Sequence, residues 1–356
     1  MSAALSGEDR AESIRMIRDS AAAVAPPGGD MKRVRELRFQ TPGFDPAVLR
    51  QTGEMGWIGL RLPDAAGGAG LGLGEACALA EELGGALVPE PLIPAMLSAS
   101  LLAAVGAGPL ERVLTGEALV LTAWQERPDT LEVPGSPDAP RRFLPMAAGA
   151  ASFLLPVREG GRIALYEQQA GAGLTTEQTQ DGGHVGTLEP NLGTATRIAD
   201  DIGEALSLAL DEAALLTSAY LLGGMDRAFA MTLDYLKTRQ QFGKIIGTFQ
   251  ALQHKAADVR MQIALTRASI EAAAATIDDG ASGDARRAVI SRAKARAASS
   301  SMLVTRECIQ LHGGIGYTDQ YDVGLYLRKA MVMANLYGSA ALHRRRFMAV
   351  APEVEE

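Results

Sequence analysis

Arg239 is the residue best suited to meet a charged ligand, because a guanidinium is a planar fork of donors that matches phosphate oxygens. It stands within Tyr235-Leu-Lys-Thr-Arg239-Gln-Gln-Phe242-Gly243-Lys-Ile-Ile-Gly-Thr-Phe249-Gln250-Ala-Leu-Gln253. Further along, Gln310-Leu-His-Gly313-Gly314-Ile-Gly316-Tyr317-Thr318 is rich in glycine, which lets backbone N–H groups approach a ligand that a side chain would obstruct. A cation and an open backbone are what a pyrophosphate-bearing dinucleotide requires. Plainer readings stand beside these: the glycines as a helix stop, Phe242 as core, Gln250 as part of a capped loop, and Gln253 as solvated.

The elements that must position these segments can be read from periodicity. Long Ala-, Leu- and Arg-rich stretches predict helices over 204–237, 249–277 and 285–311, with a Gly-Ala-Ser-Gly break at 280–283 and a shorter helix over 323–336. Antiparallel helices joined by short loops describe a bundle. Short apolar runs at 118–122, 152–157 and 162–166, separated by Gly/Pro/Asp clusters, predict strands. Residues before them read as helices, including an amphipathic one over 74–83 that stops at Gly84-Gly85. The expected organisation is mainly α: an N-terminal helical domain over 1–115, a small β-domain over 116–202 and a C-terminal helical bundle over 203–356.

Composition excludes several classes. With 47% apolar and 21% charged residues among 356, the chain has the means to bury a large core. A net charge of −8 gives no global field drawing it to nucleic acid or an anionic membrane. The basic run His343 to Arg346 reads as a solvated helix end. Cys77 and Cys308 lie far apart without metal-ligand spacing, so neither a disulfide framework nor a metal site is implied. The first nineteen residues mix charges without an apolar stretch, unlike a signal peptide, and no apolar run reaches about 18 residues. A cytoplasmic location is expected.

The two chemistry-bearing segments resemble the RxxFGxxIxxFQxxQ and QxxGGxGY signatures of acyl-CoA dehydrogenases. Gly56-Trp57-Ile58-Gly59-Leu60 with Gly67-Gly68-Ala69-Gly70, and Glu81-Glu82-Leu83-Gly84, match the same family upstream and in the right order. The resemblance implies an FAD lodged mainly in a neighbouring subunit, faced here by Arg239, Phe242, Gln250, Gln310, Gly313 and Gly314. It also implies an acyl-CoA thioester substrate and electron-transfer flavoprotein, or a similar protein, as acceptor. The β-domain matches poorly: only about 26 residues separate Glu126 from Phe153, and Trp124 reads as core rather than as part of the family's flavin cradle.

Such enzymes remove an α-proton with a glutamate while a hydride leaves the β-carbon. The resemblance places that base at one of three positions, which here hold Tyr337, Ala213 and Tyr220. Glu212 adjoins one of them, but a single helical step turns a side chain by about 100°, so it reads as a solvated helix residue and a weak candidate base. The expectation is a subunit of a heteromeric acyl-CoA dehydrogenase, of α2β2 type, whose homologous catalytic partner supplies the glutamate. Steroid side-chain degradation is the family precedent for such half-degenerate sites. A self-sufficient homo-oligomer using Glu212 and a non-redox scaffold are the alternatives.

Overall fold

A computed structural model describes residues 7–26 and 28–351. Helices α1 (Gly7–Ala21), α2 (Lys32–Leu37), α3 (Pro46–Glu54), α4 (Leu73–Gly85), α5 (Leu92–Val105) and α6 (Leu110–Leu114) come first. Strands β1 (Val120–Thr122), β2 (Arg141–Pro145), β3 (Ser152–Glu159), β4 (Arg162–Gln169), β5 (Leu174–Gln178), β6 (His184–Leu188) and β7 (Thr196–Ala199) follow. The long α7 (Gly203–Thr238) leads through a hairpin, β8 (Gln240–Gln241) and β9 (Lys244–Ile245), to α8 (Gln250–Asp278), α9 (Gly283–His312), α10 (Val323–Met333) and α11 (Ala340–Val350). Two compact units are distinguishable among the described residues: one gathers those up to Met31, Leu73–Val88 and those from Leu215 onward, the other Lys32–Gly72 and Pro89–Ala214.

In the second unit, helix starts are set by local chemistry. Asp45 caps α3 by accepting the Ala47 N–H at 2.8 Å, and Pro46 occupies the first helical position, where its missing N–H costs nothing. A four-stranded sheet runs β1-β3-β4-β7, with β1 parallel to β3 and the rest antiparallel. Its core is the apolar run of β3, where Phe153, Leu154 and Leu155 are fully buried. A three-stranded sheet runs β2-β6-β5. The strands expected near 118–122, 152–157 and 162–166 are β1, β3 and β4; Trp124 lies just past β1 and is buried. Between Glu126 and Phe153 the chain makes one strand, β2.

The first unit contains the bundle. By length and composition α7 could cross a membrane, yet 83% of its most apolar window is buried, as befits a core helix. Its glycines allow close packing: a Cβ at Gly223 would lie 1.8 Å from the Glu81 carbonyl oxygen, and one at Gly84 1.9 Å from that of Tyr220, so α4 and α7 touch backbone to backbone. Beside this contact Glu81 is bound by Arg18 and Arg267, and Arg267 also holds Asp226. Burial alone would raise the Glu81 carboxyl, but the two guanidiniums outweigh it and hold it below its ordinary value. The Glu81-Glu82 motif is therefore an ion-pair anchor for α1, α4, α7 and α8.

Lys294 on α9 has no exposure, and its ammonium donates to the carbonyls of Met333 (3.2 Å) and Ala334 (3.0 Å) at the end of α10. Burial pushes the amine down to about 7. Between that value and the roughly 10.4 of a solvated lysine, the unfolded chain binds the extra proton, so this group adds stability as pH rises above 7. Lys294→Met is expected to flatten the rise in denaturant midpoint between about pH 7 and pH 9. Parallel curves for wild type and variant would show that this amine does not titrate there.

Candidate functional site

In the first unit the end of α7, the β8–β9 hairpin and the end of α9 meet around Leu236, Ile246 and Leu311, against which Tyr235, Phe249 and Leu252 pack. These apolar positions are interleaved with the two chemistry-bearing segments, so packing them brings Arg239 and the glycine turn to one end of the bundle. The hairpin is fixed by backbone bonds: the Arg239 N–H donates to Tyr235 O, and the Ile246 N–H to Arg239 O, both at 2.9 Å.

Phe242 (φ 52°) and Gly243 (φ 77°) form the hairpin tip, the double positive φ of a type I′ turn. Left-handed backbone at a non-glycine residue costs of order 1 kcal/mol or more. Phe242 is nevertheless held there 90% exposed, which rules out the core-packing reading. Arg239, Gln250, Gln310, Gly313 and Gly314 are exposed as well, and Arg239 forms no ion pair among the described residues. Gln250 is the first residue of α8. Gln253 is bonded rather than merely solvated, donating from Nε2 to Gly247 O at 3.0 Å.

Gly313 caps α9 at φ 66°, ψ −146°, a conformation that side chains rarely tolerate. A Cβ at Gly313 or Gly314 would meet nothing within 4 Å, so these glycines open the backbone outward instead of making room within the fold. Just before them, His312 stacks on Tyr235 (centroids 4.6 Å) and meets Tyr321 at a tilt (4.8 Å), while the two tyrosines meet edge to face (6.1 Å), so the three rings form a triangular cluster. This ring cluster has no counterpart in the sequence reading. A signal existed, since His312 directly precedes the glycine pair and Tyr235 opens the other segment.

The three residues at which the resemblance would place the base are all buried. Tyr337 is 2% exposed at φ 57° between α10 and α11, its carbonyl accepts from His343 Nε2 at 2.8 Å, and burial pushes its phenol up. Tyr220 is buried and donates to Val88 O at 3.0 Å. In the second unit Ala213 is buried. Glu212 is not the solvated residue expected: its side chain is 12% exposed and Oε1 lies 2.6 Å from Arg61 Nη2, while Arg61 also donates to Leu71 O. In the run His343 to Arg346, which lies inside α11, His343 alone departs from the solvated reading: it is fully buried, while Arg344 and Arg345 are exposed. Ser339 starts that helix by accepting the Leu342 N–H.

The residues present fit the phosphate-bearing end of a dinucleotide: an exposed guanidinium with no ion pair among the described residues, beside an outward-facing glycine turn. No cluster of three or more His, Cys, Asp or Glu residues able to hold a metal occurs among the described residues. A cavity of about 310 Å³ in the first unit, bordered by Glu81, Glu82, Gly223, Asp226 and Arg227, includes none of the expected site residues.

Comparison with known proteins places these features in context. The family described as acyl-CoA dehydrogenase, C-terminal domain, matches residues 204–351, and acyl-CoA dehydrogenase, N-terminal domain, matches residues 11–108. The chain is 30% identical over 341 residues to acyl-CoA dehydrogenase IpdE2 of Mycolicibacterium smegmatis, covering 95% of this chain and 98% of that protein. Among solved structures, a variant of the Tcur3481-Tcur3483 steroid ACAD superposes with a TM-score of 0.82 at 29% identity, over 98% of both chains. The ChsE4-ChsE5 complex from Mycobacterium tuberculosis gives 0.83 at 23% identity over 99% of both, a likeness of fold.

Proposed function

The chain belongs to the acyl-CoA dehydrogenase family, with its helical N-terminal domain, β-domain and helical C-terminal domain, and from that premise we propose that it is the non-catalytic subunit of a heteromeric enzyme. The family uses FAD. The observation that carries the reading is the loss of a carboxylate from all three base positions, joined to the engagement of Glu212 by Arg61.

Dehydrogenation of an acyl-CoA at Cα–Cβ needs a group to take the α-proton, and FAD, when bound, supplies the acceptor for the β-hydride. In this chain Tyr220 commits its phenol to a backbone carbonyl, and the Tyr337 phenol, pushed up by burial, is a poor proton acceptor at neutral pH. What the chain contributes is binding. Arg239 would oppose the pyrophosphate charge, the Gly313-Gly314 backbone would let the cofactor approach, and Phe242, Gln250 and Gln310 would cover it at the subunit interface. The partner, a homologous chain with an intact glutamate, completes the site. Likeness to a steroid ACAD supports a bulky CoA thioester as substrate, and electron-transfer flavoprotein or a similar protein would reoxidise the complex.

The test is co-expression with a homologous catalytic chain. The chain alone is expected to purify without flavin, the complex to be yellow, and Arg239→Ala in the complex to lose a charge-assisted contact worth roughly 1.5–3 kcal/mol, lowering FAD retention on dialysis. A stable yellow homo-oligomer of this chain alone would refute the heteromer. Full flavin occupancy in the Arg239→Ala complex would refute the role of Arg239.

A further inference from the structure

We infer that His312 is a positioning residue whose imidazole holds the arginine hairpin and the glycine turn at a fixed separation; this rests on reading those two segments as one side of the flavin site. Each ring of the cluster belongs to a different part. Tyr235 lies in the last turn of α7, and its carbonyl accepts the Arg239 N–H, which ties its ring to the start of the hairpin. His312 is the last residue of α9 and carries the glycine pair directly after it. Tyr321 lies beyond the far end of the glycine turn and packs back on His312 at 4.8 Å, closing the turn at its base. The two tyrosines also meet each other edge to face at 6.1 Å, so the three rings form one cluster in which His312 supplies the stacked contact to Tyr235 and the tilted contact to Tyr321.

The hydrogen bonding of the imidazole separates shape from polarity. His312 is 3% exposed, and Nδ1 lies 2.7 Å from Cys308 O, so Nδ1 carries the proton and Nε2 is left as an acceptor. Nε2 is buried and has no partner among the described residues. An unmet buried acceptor is a cost that a phenyl ring would avoid. The flat ring, stacked on Tyr235 and with Tyr321 tilted against it, is therefore what this position uses, with the Cys308 bond fixing its orientation. Burial also holds the imidazole below its ordinary range, so the stack is built on the neutral ring.

The proposal is tested in the assembled complex with its catalytic partner, stripped of flavin and titrated with FAD, alongside melting temperature. His312→Ala, which removes the ring, and His312→Gln, which keeps a donor for Cys308 O, are each expected to weaken FAD binding about tenfold or more. His312→Phe keeps an aromatic ring in the cluster and should stay within about threefold. Wild-type affinity in the Ala and Gln variants, while Arg239→Ala loses flavin, would overturn the role of His312 and leave the site assignment standing. Failure of the Phe variant to rescue, or a flavin loss that merely tracks a lower melting temperature, would also overturn it. Undiminished affinity in Arg239→Ala as well would bring down the site assignment itself and this inference with it.

Discussion

Gly223→Ala is expected to destabilise the chain by at least about 3 kcal/mol, a large effect for one added methyl group. The added Cβ would sit 1.8 Å from the Glu81 carbonyl oxygen and 2.8 Å from the Gly85 nitrogen, and both are backbone atoms that cannot rotate away. Relief requires α4 and α7 to separate, and that movement would pull on the Arg267 bridge between Glu81 on α4 and Asp226 on α7 and on the Tyr220 bond to Val88. Gly224 is the control on the same helix. A Cβ there would meet Gly84 O and Tyr326 Cδ1 at 3.7 Å, ordinary contact, so Gly224→Ala should fall within about 1 kcal/mol of wild type, helped by alanine's better helix propensity. Denaturant melts of the two variants decide the matter: equal midpoints for Gly223→Ala and wild type would show that the helices are not in backbone contact.

The same glycine illustrates what can be read without coordinates. Gly223 lies ten residues after Ala213 and three after Tyr220 in the chain, but nothing in its own type says that a carbonyl from α4 presses against it. Helices were legible where apolar periodicity was long and punctuated: the break at 280–283 separates α8 from α9, with Gly280 and Gly283 both at positive φ. Strands were legible only where burial makes a continuous apolar run, as in β3. β5, Leu-Thr-Thr-Glu-Gln, is almost wholly exposed and owes its existence to pairing with β6, so no local apolar signal marks it.

At the site, segment membership could be read and surroundings could not. Phe242 has the composition of a core residue, and its exposure follows from a hairpin whose tip forces φ positive. Glu212 has the composition of a solvated helix residue, and its partner lies 151 residues away in the chain. Ion pairs between distant segments leave no trace in local spacing, which is why the arginine that occupies Glu212 was not foreseen.

Catalytic dependence should divide unequally between the two chains of the complex. Replacing the partner's catalytic glutamate by glutamine should cut turnover by about 10²–10⁴ or more, the range for removing a general base. Glu212→Gln should leave turnover within a few-fold. The geometry explains the difference: Glu212 Oε1 is held by Arg61 Nη2 at 2.6 Å, and Arg61 is fixed in turn by Leu71 O, so a carboxylate leaving this pair for a substrate proton would strand a guanidinium that is only 23% exposed. A glutamine can still accept that arginine's hydrogen bond, so the variant should fold and assemble, and any loss of rate would report chemistry rather than collapse. Ala213, next along the helix, offers no ionisable group. Single-turnover reduction of bound flavin by an acyl-CoA thioester is the measurement, with FAD content and subunit ratio determined on the same samples. If Glu212→Gln lost several orders of magnitude with both quantities unchanged, the base would lie in this chain and the heteromeric reading would fail. If neither glutamate mattered, the proton would have to leave through a group on neither of these positions, and the division of labour proposed for the two chains would be wrong.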